Sequence, residues 1–229
     1  MAPVGVQAIF HEDKETGLSE VCAEIGVPYI LSTAATSSIE EVAKSNGAAG
    51  HRWFQLYWPA VDEVTVSLLN RAKQNGYKVL VVTLDAWTLA WRPADLDEGY
   101  VNFPVPMFVV VRGCVVELAN ICRQMPFLKG TGNKVGFTDP VFRERYEKKT
   151  GLKIEDNLIA ASVEWLQTLY DGGSHGWNQI AHLKKHWDGP IVLKGIQHVE
   201  DAKLAVKAGV QGIVVSNHGG KEISIAKKA

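Results

Sequence analysis

Residues able to do chemistry recur at one kind of place in this chain. Ser32 closes VPYILS, Gln55 and Tyr57 close RWFQLY, Thr83 and Asp85 close YKVLVVTLD, Lys194 falls within PIVLKGI, and Ser216 and His218 follow GIVV in GIVVSNHGG. An imidazole can take a proton, a lysine can oppose developing negative charge, and hydroxyl and amide groups can hold a polar ligand. Taken singly, a strand-end histidine is more simply bonded to backbone, a lysine there caps a strand in solvent, and a tyrosine fills a core. Recurrence at five strand ends is what favours a shared site.

The runs before these residues are short and β-branched, and amphipathic stretches separate them. SIEEVAKSN, VDEVTVSLLNRAKQNG and VEDAKLAVKAG carry apolar residues at helical spacing and close on Asn or Gly. Strand and helix in alternation predict an α/β fold with a parallel sheet. Nearly continuous apolar strands predict burial on both sheet faces. A (β/α)8 TIM barrel gathers strand ends at one mouth. A doubly wound sheet concentrates them at one switch point and more often carries a Gly-rich phosphate turn, which is not found here. The barrel is therefore the expected architecture.

At 229 residues and 46% hydrophobic, the chain is sized for one large domain over residues 1–229. A net charge of −1 provides no broad basic field for nucleic acid or an anionic membrane, so a small-molecule partner is expected. The scattered Cys22, Cys114 and Cys122 form neither a disulfide framework nor a metal-ligand spacing. His175 and His182 lack a paired-ligand spacing and are expected at the surface, without a metal. The opening MAPVGVQAIFHEDKE lacks the basic and apolar regions of a signal peptide, and AKKA is no peroxisomal signal, so a cytoplasmic location is expected.

The stretches APVG, LSTAATSSIEEV, RWFQLY, VVTLDAWTLAWRPADL, GPIVLKGI and EDAKLAVKAGVQGIVVSNHGG occur in one order from Ala2 to Gly220. In them the chain resembles the FMN-dependent 2-hydroxy-acid oxidases and dehydrogenases. WRPADL, where an Arg-Glu pattern is commoner, is similar to the lactate 2-monooxygenase branch. The resemblance implies FMN as cofactor, a short 2-hydroxy acid such as L-lactate as substrate, and O2 as acceptor. It allows a homo-oligomer, since many relatives form tetramers or larger rings. By this resemblance His218 is the catalytic base and also contacts substrate. Tyr57 bonds the substrate and Arg92 pairs its carboxylate through a planar fork. Lys194 lies beside flavin N1 and O2, where a fixed cation stabilises the reduced ring. Ser32, Gln55, Thr83 and Ser216 bond the ring, and the backbone of Pro3, Val4 and Gly5 lies against it. Ala34 stands where relatives often have a large aromatic residue, which favours lactate over glycolate.

The chain also departs from the family pattern. Lys221 replaces the arginine that makes the second carboxylate contact, keeping its charge and losing its fork. The tail 222–229 matches nothing, so strands 7 and 8 of the barrel are expected to be missing, and Met1 falls at the end of strand 1, leaving a stub plus strands 2 to 6. Residues 103–125 form an atypical apolar insertion. Arg112, Glu117 and Arg123 interrupt it against the ~20 apolar residues of a membrane span, and read-through of coding sequence is the preferred origin of both segments. Three functions follow: an FMN enzyme acting on lactate, an inactive truncated member that associates with full-length subunits or misfolds, and an FMN barrel of other chemistry. Arg92 and the SNHGG histidine speak against the third.

Overall fold

A computed structural model describes residues 1–86 and 127–220. The expected insertion at 103–125, the tail 222–229, Arg92 and Lys221 lie outside the described residues. Strands β1 (Tyr29–Leu31), β2 (Arg52–Tyr57), β3 (Val79–Thr83), β4 (Ile191–Ile196) and β5 (Gly212–Val215) form a five-stranded sheet in chain order, and every neighbouring pair is parallel. These are the runs marked by their β-branched composition. Parallel neighbours need a crossover between them. The helix α1 (Lys14–Glu24) precedes β1, while α2 (Ile39–Asn46) and α3 (Asp62–Gln74) connect the first three strands. The path into β4 contains α4 (Lys134–Phe137), α5 (Pro140–Thr150), α6 (Leu158–Leu169) and α7 (Ile180–His186), and α8 (Val199–Lys207) leads to β5.

Local chemistry accounts for these boundaries. Ser38 caps α2 by accepting from Glu41 N–H at 3.1 Å, Glu41 returns a carboxylate to Ser38 N–H at 2.7 Å, and Gly47 ends the helix at φ 69°. In α5, Asp139 accepts from Val141 and Phe142 N–H, Pro140 opens the helix, and Gly151 closes it in the left-handed region. The charged RERYEKK within α5 is largely solvated, but Tyr146 turns inward and is buried near Phe142.

The core lies between sheet and helices. Leu31, Phe54, Leu56, Leu80, Val82 and Leu193 are buried from the sheet, together with Ile39, Val42, Val64 and Leu68 from α2 and α3. A second group of rings surrounds Trp165 of α6, with Phe142 edge-on at 4.9 Å and Gly136 so close that a Cβ there would collide with the indole.

Two expectations fail. Residues 1–6 form no strand: Met1 donates through its ammonium to Pro28 O at 2.6 Å, and Val6 N–H donates to Ala34 O at 2.9 Å, so this segment bonds to loops instead of extending the ladder. Nor is every strand buried on both faces. In β5, Ile213, Val214 and Val215 are exposed, Val215 at 77%, because β4 is the one strand paired with β5 among the described residues.

Candidate functional site

Register brings the strand ends level. Tyr57 stands opposite Thr83, Thr83 opposite Lys194, and Lys194 opposite Val214. Side chains on alternate residues share a face, so Thr83 and Asp85 continue one row at the end of β3. The polar residues therefore collect along the carboxyl edge of the sheet.

Two connected groups form there. In the first, Gln55 Oε1 accepts from Ser32 Oγ at 3.2 Å and Thr33 N–H at 3.1 Å, while Gln55 Nε2 donates to Thr83 Oγ1 at 2.9 Å. All three predicted side chains are buried. Among the described residues the network leaves one Nε2 hydrogen on Gln55 and the Thr83 hydroxyl hydrogen to give to a ligand. In the second, Asp85 Oδ1 lies 3.0 Å from His218 Nδ1, and Asp85 Oδ2 lies 3.6 Å from Lys194 Nζ. The Asp85 side chain is 2% exposed and that of His218 is 22% exposed. Ser216 Oγ accepts from His218 N–H at 3.0 Å and fixes the turn, where His218 at φ 58° is followed by Gly219 at 69° and Gly220 at 76°. Left-handed backbone suits glycine and is tolerated by histidine better than by bulkier residues.

Gly195 is what lets Asp85 sit this close. It has φ 103° at a register shift between β4 and β5, and a Cβ there would fall 2.8 Å from Asp85 Cβ and Cγ. The register shift directly follows Lys194, and shifts of this kind locally disturb the ladder and the direction of neighbouring side chains.

The structure thus brings together Ser32, Gln55 and Thr83, and separately Lys194, Ser216 and His218. Tyr57, at the end of β2, packs its ring 5.1 Å from that of Tyr170. Pro3, Val4 and Gly5 run beside the loop after β1, where a Cβ on Gly5 would fall 2.9 Å from Ala34 O. His175 is exposed as expected and stacks on Trp58 at 4.1 Å, and His182, its side chain 31% exposed, lies at the surface with Asp62 3.7 Å away. Among the described residues no cluster of three or more His, Cys, Asp or Glu could hold a metal, and no helix is long and apolar enough to cross a membrane.

Sequence reasoning marked Asp85 as a strand-end residue without giving it a part. Its i, i+2 relation to Thr83 was the available signal. The pairing with His218, 133 positions along the chain, was not visible there.

Comparison with known proteins places this edge in context. The family model for FMN-dependent dehydrogenases matches residues 1–229. The chain belongs to this FMN-dependent dehydrogenase family. It is 54% identical over 223 residues to the FMN-dependent alpha-hydroxy acid dehydrogenase qulF of Penicillium citrinum, covering 97% of this chain and 49% of that protein. To the L-lactate oxidase of Lysinibacillus sphaericus it is 32% identical over 222 residues, with the same two shares. A crystal structure of mandelate oxidase with (S)-2-phenylpropionate matches with TM-score 0.63 and 29% identity, over 96% of this chain and 47% of that one. The chain spans about half the length of the curated relatives it matches.

FMN, the cofactor of the family, can be tested against the residues present. Lys194 Nζ and Asp85 Oδ2, an ion pair at 3.6 Å, are buried and have no hydrogen-bond partner among the described residues. A buried ammonium with unused donors, beside the spare donors of Gln55 and Thr83, suits a ring edge of carbonyl and nitrogen acceptors. The residues fit the group.

Proposed function

We propose that this chain carries the flavin and substrate half-site of an FMN-dependent enzyme that oxidises a short 2-hydroxy acid, L-lactate foremost. The observation that carries the reading is the contact of His218 Nδ1 with Asp85 Oδ1 beside the buried Lys194 ammonium. With Asp85 accepting at Nδ1, that nitrogen holds the hydrogen and His218 Nε2 keeps a lone pair for a substrate proton. Asp85 then opposes the charge on the imidazolium. Bound FMN would supply the two-electron acceptor for the hydrogen leaving the substrate carbon, with O2 as the final acceptor. Ser32, Gln55, Thr83, Ser216 and the backbone of Pro3, Val4 and Gly5 would hold the flavin ring, and Lys194 would oppose the negative charge of its reduced form.

Tyr57 bonds the substrate at its reacting end. Arg92 pairs the carboxylate, and Lys221 adds a charge without a fork. Oxidation alone converts lactate to pyruvate. If products are retained in the manner of a 2-monooxygenase, lactate and O2 give acetate, CO2 and water. Ala34, small and half-buried, favours a lactate-sized substrate.

In this reading the five strands are consecutive staves of a (β/α)8 barrel in a single domain, numbered 2 to 6. Their parallel pairing in chain order supports it. A cytoplasmic enzyme that self-associates is the corresponding assembly.

The exposed β5 favours a second reading, in which the chain is an inactive truncated member that associates with full-length subunits or misfolds. Visible absorption of the purified chain with added FMN separates the two. Bound flavin bleached by L-lactate without oxygen supports the enzyme. Flavin that stays free, with protein lost to aggregates, supports the second reading, and mass spectrometry then distinguishes acetate from pyruvate.

A further inference from the structure

A second buried carboxylate takes no part in this proton transfer. Glu15, at the start of α1, is fully buried. Its Oε1 accepts from Gln7 N–H at 3.1 Å, Thr36 N–H at 2.8 Å and Thr36 Oγ1 at 2.9 Å, and its Oε2 accepts from Ser37 Oγ at 2.8 Å. The donors belong to two separate segments. Gln7 follows Pro3, Val4 and Gly5, while Thr36 and Ser37 follow Ser32 and Ala34 beyond β1.

Gln7 passes the constraint onward, since its side-chain amide donates to Val4 O at 3.0 Å and to Tyr29 Oη at 3.2 Å. Ala8 N–H donates to Thr36 Oγ1 at 3.1 Å. Between Val4 and Gln7, Val6 sits at φ 48°, a left-handed conformation that a β-branched residue keeps only where its surroundings impose it. Such outliers gather at ligand sites, and this one adjoins the backbone proposed to face the flavin.

We propose that Glu15 is a positioning residue for the flavin, its carboxylate clamping residues 4–8 to the loop after β1 and so fixing the backbone of Val4 and Gly5. This rests on the FMN reading above. Bonds from backbone N–H and hydroxyl groups to a carboxylate are stronger than neutral ones, and among the described residues no other charged side chain joins the two segments.

Glu15→Leu keeps most of the volume and removes all four acceptor contacts. Glu15→Gln retains an oxygen for three donors and turns an amide toward Ser37 Oγ, which can accept. Thr36→Val deletes only the hydroxyl and serves if Glu15→Leu does not fold. Two measurements are made on the full chain: amide hydrogen exchange without FMN, and FMN affinity by flavin fluorescence. Glu15→Leu is expected to speed exchange at Gln7 and Thr36 at least about tenfold, with β2 and β3 unmoved, and to weaken FMN binding by about tenfold or more, the scale of a lost charge-assisted bond. Glu15→Gln, which keeps these bonds without their charge, should recover part of both losses, and Thr36→Val should disturb both less than Glu15→Leu.

Unchanged exchange at Gln7 and Thr36 overturns the clamp. Faster exchange with undiminished FMN affinity overturns the positioning role. A wild-type chain that takes up no FMN overturns the flavin reading and this role with it, and is recognised before any variant is compared.

Discussion

The Asp85 carboxylate stands between an imidazole and an ammonium, and its two oxygens face different tasks. Oδ1, 3.0 Å from His218, fixes which ring nitrogen holds the hydrogen, while Oδ2, 3.6 Å from Lys194, supplies a counter-charge without a hydrogen bond. Asp85→Asn keeps the shape and removes the charge. The rate of 2-hydroxy-acid oxidation is expected to fall roughly 10²- to 10⁴-fold, the range of a positioned base, with flavin still bound. Stopped-flow bleaching of the flavin measures it, alongside a melting curve because Lys194 loses its counter-charge. A rate within about tenfold of wild type would mean that Asp85 does not orient His218.

Among the elements, α2, α3 and the α4–α5 corner are tied by one guanidinium. Arg71 of α3 forks onto Glu40 of α2 at 2.9 Å through Nε and Nη2, and its Nη1 reaches Val135 O and the buried Asp139, which also caps α5. Burial works against the charged form of Glu40, yet the hydrogen bonds and charge of Arg71, with bonds from its own backbone and Ser38, hold its carboxyl below the ordinary value. A depressed carboxyl contributes stability above its unfolded pKa, and that contribution is lost as pH falls through the folded value. Glu40→Gln should therefore lower the unfolding midpoint at neutral pH and lose its difference from wild type in acid, as urea titrations across pH would report. A difference that persists at the acid end would count against the pair. The helix ends here were readable from Ser38, Gly47, Asp139 and Gly151, since capping is local chemistry. The Arg71 link was not, because its partners lie 31 and 68 positions away.

At the scale of the molecule, the sheet has a sheltered interior and an open margin. β1 to β4 are packed beneath helices, but β5 shows Val215 at 77% exposure, with Val206 of α8 equally exposed. Among the described residues β5 pairs on one edge alone, and an apolar strand with such an edge is a template for further pairing, which natural proteins often blunt with lysine. Val215→Lys should reduce self-association of the isolated 229-residue chain, read by light scattering against concentration. Scattering unchanged by the substitution would show that contacts form elsewhere.

The five strands, three of their crossover helices and the row of polar residues at the strand ends were legible in the amino-acid order, because β-branched runs, helical spacing and caps act over a few residues. It also carried the family, through motifs kept in one order. Tertiary structure alone decided that Asp85 meets both His218 and Lys194, that Gly195 makes room for it, that Glu15 joins the segment around Val4 to the loop at Thr36, and that an apolar β5 lies exposed. Burial and side-chain pairing depend on what the rest of the fold brings alongside, and no short stretch of residues encodes its distant neighbours.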